Sequence, residues 1–192
     1  YKAVSPLPQV DINRVLRREP VVVNSAALSP ILTGARVLVT GAGGSIGSEL
    51  CRQIAGYKPA QLILLGHGEN SIFEIALDLA MRYPDLPTQE VIADVRDADR
   101  INWAVRTYRP TVIYHAAAHK HVPLMEHSVA EGVMNNVHGT RNVLRAAERY
   151  GVEHFVLIST DKAIKPVNIL GATKRIGELL TLAAAERTGR PF

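Results

Sequence analysis

From Arg36 onward the chain alternates between two hydrophobic periods. Short runs rich in β-branched residues recur, most of them apolar at nearly every position: RVLVT (36–40), QLILL (61–65), TQEVIA (88–93), TVIYH (111–115) and HFVLIS (154–159). Between them lie segments with helical spacing, at 45–57, 69–83, 97–108 and 129–151, and a last one at 169–189 closes the chain. A strand buried on both faces has no polar side to show. Apolar strands separated by helices therefore predict a parallel sheet covered on both sides. Right-handed crossovers turn that alternation into a doubly wound α/β domain, for which the strand order 3-2-1-4-5 is expected.

Residues 1–35 follow neither period. YKAVSPLPQV is proline-rich, DINRVLRRE offers about two helical turns behind an Asp cap, and PVVVNSAALSPILTG reads as extended or loop. They are expected to form a leader or interdomain linker that packs on the domain, 36–192. At the far end Gly189 stops the last helix, and Pro191-Phe192 reads as the entry to a sixth strand. A fragment, truncated before that strand and a substrate segment, is expected.

Composition narrows the class. Of 192 residues, 47% are hydrophobic and 21% charged, which is ordinary globular usage. The net charge of +4 is spread along the chain, with Arg14, Arg17 and Arg18 its one dense spot. A solvated helix face accounts for that spot, with an anionic ligand or membrane surface as the alternative. No basic stripe interleaved with aromatics points to nucleic acid. The single cysteine, Cys51, excludes an internal disulfide and fits a reducing cytosol as a buried, inert thiol. No apolar run approaches the roughly 20 residues a bilayer span needs, and no signal peptide is visible at Tyr1. A cytoplasmic chain without a membrane span of its own is expected.

The chemistry begins in VTGAGGSIGSEL. Gly41, Gly44 and Gly47 stand directly after the first strand, with Ser45 and Ile46 opening its helix. In that context the glycines allow a tight turn, let backbone N–H groups approach a pyrophosphate, and let helix and strand pack closely. The spacing is GxxGxxG, and here the chain resembles the extended short-chain dehydrogenase/reductase superfamily, in which this turn holds NAD or NADP. After the second strand, Gly66 stands where an Asp would select NAD. Its absence removes a charge penalty against a 2′-phosphate, which His67, Asn70 or Ser71 could bond. NADP is therefore preferred, although Glu69 could still serve NAD. Asp94-Val95, after the third strand, sits where related proteins hold adenine, or else plays a cap or loop role. Ala116, Ala117 and Ala118 leave room for ribose and nicotinamide. His119, Lys120 and His121 enter the same crevice, for sugar or phosphate contact or as a solvated loop. They lack the spacing of a helical metal site, so no metal is expected.

AAAHKHVPLME, NNVHGTRNV and FVLISTDKAIKPVNILGATKR join the glycine turn in a closer likeness. Over residues 36–192 the chain resembles the CapD-like nucleotide-sugar 4,6-dehydratases of polysaccharide biosynthesis, which act on UDP-N-acetylglucosamine and related sugars. Long members carry membrane helices upstream and a sugar-binding segment downstream. The resemblance implies a UDP-sugar substrate and C4 oxidation, followed by loss of water across C5 and C6 and return of hydride. It implies Asp161 as acid, Lys162 as base, and Thr160 as partner of the C4 oxygen. Lys174 would bond the nicotinamide ribose, and Asn136 would steady the site. A lysine base needs a lowered pKa, which burial and Lys174 could bring. The bland alternative is an Asp161–Lys162 ion pair or a turn cap. Leu170 replaces the Tyr of YxxxK, as in some membrane-anchored relatives, so the C4-hydroxyl base is open among Thr160, Asp161, Lys162 and water. A homo-oligomer is expected, and a fragment of this kind would bind cofactor but turn over poorly. The rivals are an epimerase or C5-inverting dehydratase, and a catalytically silent dinucleotide sensor or scaffold.

Overall fold

The structure, a computed structural model, describes residues 25–192. Five strands alternate with helices: α1 (Ser25–Leu32), β1 (Arg36–Thr40), α2 (Ser45–Ala55), β2 (Gln61–Gly66), α3 (Glu69–Arg82), β3 (Thr88–Ile92), α4 (Ala98–Tyr108) and β4 (Val112–His115). Two short helices, α5 (Val122–His127) and α6 (Val129–Gly132), lead through a π-helical turn, Val133–Gly139, into α7 (Thr140–Tyr150). The last strand, β5 (His154–Leu157), is followed by a 3₁₀ turn, Asp161–Ala163, and by α8 (Ile169–Thr188). All strands pair in parallel, in the order β3-β2-β1-β4-β5 that the sequence pattern predicts.

Successive side chains on a strand point to opposite faces, and the two cores follow from that. Leu38, Ile63, Leu65 and Ile113 meet α4, α7 and α8 on one face, with Val143, Ala147 and Ala184 completing the contact. Val37, Val39, Leu62 and Leu64 meet α1, α2 and α3 on the other, where Cys51, Ile72 and Leu79 are buried. Truncating any of these buried leucines to Ala would cost about 2–5 kcal/mol.

Three expectations need correction. Residues 25–32 are helical rather than extended, despite Pro30 within the helix. Leu28, Ile31 and Leu32 recur at helical spacing and pack into the second core, with Leu32 1% exposed. That burial outweighs the hydrogen bond that Pro30, on the exposed side, removes. The other two concern element boundaries. Three strands are shorter than read, ending at Ile92 and Leu157 and beginning at Val112. The helical stretch 129–151 is also not one helix, because the π-turn interrupts it. The helical turns expected at 11–19 lie outside the described residues. Among the described residues, no helix is long and apolar enough to cross a membrane.

Candidate active site

Functional residues of an open parallel sheet gather beyond the carboxyl ends of the strands, at the point where strand order reverses. Here that point lies between β1 and β4, and three adjoining cavities open over it. Ala116, Ala118 and His119 line all three and form the seam between them.

The first cavity, about 230 Å³, has Gly41, Gly43 and Gly44 as its floor. Gly41 has φ +68°, and a Cβ there would lie 2.7 Å from the amide nitrogen of Ala117. On Gly47 a Cβ would lie 2.0 Å from the carbonyl oxygen of Gly41, so the helix can approach the strand only without one. No side chain caps α2 at Gly44, which leaves the first-turn N–H groups of Ser45, Ile46 and Gly47 to an anion. A pyrophosphate fits this cradle. Gly43 was missed from the sequence. A Cβ on it would lie 2.4 Å from Ser71 Oγ, and the Gly43-Gly44 doublet was the signal.

Gly66, His67, Gly68 and Ser71, from the end of β2 and the start of α3, line the same cavity. Asn70, on the exposed side of α3 one residue earlier, is not among its lining residues. A side chain on Gly66 would meet Ile72 Cδ1 at 3.0 Å, a packing reason for glycine there. Val95 lines the cavity beside Asp94, whose carboxylate accepts from Arg96 N at 2.8 Å and Arg96 Nη2 at 2.6 Å. The Arg96 guanidinium holds that carboxyl below its usual range. The cap of α4 is Asp97, so Asp94 is not that cap, and it lines the cavity where adenine contact is expected. Asn142 ties this loop to α7 by donating to the carbonyls of Val95 and Arg96, both at 3.1 Å.

Asn136 lies behind the seam. Its Oδ1 accepts from His119 N at 2.8 Å, and its Nδ2 donates to His119 O and to Thr173 Oγ1, each at 3.1 Å. Its neighbour Asn135, which sequence reasoning missed, lines the first cavity instead. Asn135 Nδ2 also donates to Asn136 Oδ1 at 3.0 Å, within the π-turn that carries both residues.

The second cavity, about 270 Å³, brings Lys120, Thr160, Lys162, Leu170 and Lys174 together beside Ile46, whereas Asp161 is not among its lining residues. Asn168 caps α8, its side chain accepting from Gly171 N, and so sets Leu170 and Lys174 one turn apart facing inward. Lys174 is 8% exposed and donates through Nζ to the Ile158 carbonyl. Burial pushes its ammonium down to about 8, against the opposing pull of Glu178. Asp161 and Lys162 differ from expectation. They follow β5 by several residues, in a turn capped by Thr160, and remain well exposed, at 84% and 48%. Lys162 Nζ donates to Asp161 Oδ1 at 3.2 Å and Thr160 Oγ1 donates to the same oxygen at 3.0 Å. The Thr160 hydroxyl first, then Lys162, holds the Asp161 carboxyl below the usual range. The ion pair read as the bland alternative is present. An acid role requires further desolvation, which would raise that carboxyl again. The third cavity adds His121, at the start of α5, to the glycine turn and the seam. Among the described residues no group of three His, Cys, Asp or Glu side chains could hold a metal ion.

A parallel doubly wound sheet with a glycine cradle at its first crossover and a buried lysine across the switch point is a Rossmann-like domain. The chain belongs to the family described as "Polysaccharide biosynthesis protein", which matches residues 37–191. It is 49% identical over 178 residues to the capsular polysaccharide biosynthesis protein CapD of Staphylococcus aureus, covering 92% of this chain and 30% of that protein. It is 36% identical to a UDP-N-acetylglucosamine 4,6-dehydratase (inverting) of Campylobacter jejuni, covering 83% of this chain and 46% of that one. Among solved structures, the dTDP-glucose 4,6-dehydratase DesIV of Streptomyces venezuelae, with NAD bound, matches with a TM-score of 0.69. That match has 28% identity and covers 81% of this chain and 53% of DesIV. The chain thus spans less than half the length of both curated relatives.

Proposed function

We propose that this chain is the cofactor-binding and catalytic part of a nucleotide-sugar 4,6-dehydratase, acting on a UDP-N-acetylglucosamine-like substrate in surface polysaccharide synthesis. One observation carries the reading: Thr160, Lys162 and Lys174 share a cavity whose wall of Ala116, Ala118 and His119 also lines the glycine-floored cleft. A sugar C4 in the one cavity and a nicotinamide in the other would meet across that seam. The dehydratases among its relatives support the same chemistry.

The residues divide the work. Gly41, Gly43, Gly44 and the first turn of α2 would hold the pyrophosphate, while His67 and Ser71 face the ribose end without a carboxylate at Gly66, which favours NADP over NAD. A bound nicotinamide would supply reversible hydride transfer, from C4 and back at C6, so no net redox change would remain. Lys174 would bond the ribose and keep a positive field over the C4 oxygen, with Thr160 as its hydrogen-bond partner. Once C4 is a ketone, the C5 proton is acidified. Lys162 would take it, and Asp161 would protonate the departing C6 hydroxyl, which leaves as water. Both side chains are exposed, so a further segment or the substrate must cover them before they can act. This chain by itself would therefore bind cofactor and turn over poorly. His119, Lys120 and His121 stand where the diphosphate of the sugar would pass.

Incubation of the intact protein with UDP-N-acetylglucosamine tests the reading by mass: loss of one water is expected. A product of unchanged mass would indicate epimerisation instead, and no product at all would leave the dinucleotide-sensor reading standing.

A further inference from the structure

A chain of buried hydrogen bonds runs beneath the seam, through a histidine that the reaction above does not use. His115 ends β4, is 1% exposed, and has a polar partner at each ring nitrogen. Nδ1 lies 2.6 Å from Thr40 Oγ1 at the end of β1, and Nε2 lies 2.9 Å from Thr140 Oγ1 at the start of α7. The direction of each bond can be worked out. Thr140 has one hydroxyl proton and donates it to the carbonyl oxygen of Asn136 at 2.6 Å. Toward the ring it can only accept, so Nε2 carries the hydrogen. Nδ1 is then the acceptor, and the Thr40 hydroxyl donates to it. The Thr40 oxygen, its own proton used, accepts from Ala117 N at 3.3 Å. Each bond thus has one direction, from the Ala117 amide to the Asn136 carbonyl.

Both ends of this chain belong to the seam. Ala117 lies in the loop that walls all three cavities, and Asn136 grips the same loop at His119 with its side chain. We propose that His115 is a positioning residue: held as the Nε2–H tautomer between Thr40 and Thr140, it fixes the Ala116–His119 wall against which the nicotinamide half of the dinucleotide must lie. A charged ring would have two donors facing a Thr140 oxygen that can accept and a Thr40 hydroxyl that would have to turn away. Burial and the Lys174 ammonium both oppose that charge. Phe155, packed at 6.0 Å between ring centroids, brings no charge of its own.

This inference rests on the dinucleotide reading of the cleft, and its test separates the two. The 192-residue chain is titrated with NADPH or NADH, whichever binds more tightly, and with ADP, which shares only the adenosine and phosphate end. His115→Phe keeps the ring volume without its hydrogen bonds. Thr140→Val removes the acceptor, and Thr140→Ser restores it. Expected is a loss of about tenfold in dinucleotide affinity in the Phe and Val variants, with ADP affinity unchanged and the Ser variant near wild type. Equal losses for both ligands, or no loss, would overturn the proposal. Nitrogen-15 spectra of the wild-type histidines decide the ring state even where a variant does not fold. An Nε2–H pattern unchanged between pH 5 and 8 on the pH scale is expected, about a unit and a half to either side of an ordinary histidine pKa. An Nδ1–H pattern or a protonation step there would overturn it. Wild-type protein that binds neither dinucleotide would instead sink the functional reading, and with it the purpose assigned to the wall.

Discussion

Gly171 supports the charged turn through backbone contact: a Cβ on it would lie 2.2 Å from the carbonyl oxygen of Lys162 and 3.1 Å from Pro166 Cβ. The first full turn of α8 and the turn bearing Asp161 and Lys162 are therefore in direct backbone apposition. Gly171→Ala must push that turn outward. The expected cost is about 1–3 kcal/mol in urea unfolding, together with loss of dehydration and retained dinucleotide affinity. Unchanged turnover in the intact protein would show that the placement of the turn does not matter.

Gly43→Ala should weaken dinucleotide binding by about tenfold or more, because the new methyl meets Ser71 at the floor of the cleft. The pair makes a stricter prediction. The Gly43 Cβ would lie 2.4 Å from Ser71 Oγ but also 2.7 Å from the Ser71 backbone carbon. Adding Ser71→Ala therefore should not restore affinity, whichever nucleotide is titrated. Recovery in the double variant would mean that the clash is only with the hydroxyl.

Asp161→Asn and Lys162→Ala should each reduce dehydration in the intact protein by about 10²–10⁴-fold, the usual range for a positioned acid or base. Both side chains are exposed and neither lines the glycine-floored cleft. Dinucleotide affinity should therefore stay within about twofold of wild type, well under the 1.4 kcal/mol that a tenfold change represents. Loss of binding in either variant would argue for a structural ion pair.

Among the described residues two bases are buried with depressed pKa values, and both make stability rise with pH. Lys174 is pushed from 10.5 to about 8. Below pH 8 it is charged in folded and unfolded chains alike, and the burial penalty is fully present. Between 8 and 10.5 the unfolded chain holds a proton that the folded one has lost, so this contribution improves. His115, lowered from 6.5 to about 3, is neutral when folded, and its stabilising contribution fades as pH falls from 6.5 toward 3. Each slope can reach about 1.4 kcal/mol per pH unit. Urea midpoints for wild type, Lys174→Met and His115→Phe should show the alkaline rise vanish in the first variant and the acid fall flatten in the second.

Much of this was legible beforehand because strands buried on both faces write themselves as continuous apolar runs. QLILL and RVLVT needed no partner to be recognised, and the strand order is the one usual for a doubly wound sheet that opens on a glycine turn. The glycine turn was legible for a similar reason, since its requirements are local. What escaped depended on distant partners. Pro30 argued against a helix that Leu32 nevertheless forms by burying itself against the sheet. The roles of Thr40, His115 and Thr140 exist only once β1, β4 and α7 converge. Asp161 and Lys162 were found as neighbours, but their exposure follows from a 3₁₀ turn with no distinct composition.

The wide turn at Val133–Gly139 also makes the site depend on chain length as well as on side-chain identity. Removing a single residue from it would let the backbone close as ordinary α-helix, rotating everything upstream by about 100° against α7. Asn135 would leave the cleft, and Asn136 would release its hold on His119. Such a deletion would spare the identity of every residue quoted above and still dismantle the geometry, a kind of lesion that substitution scanning along this segment would never expose.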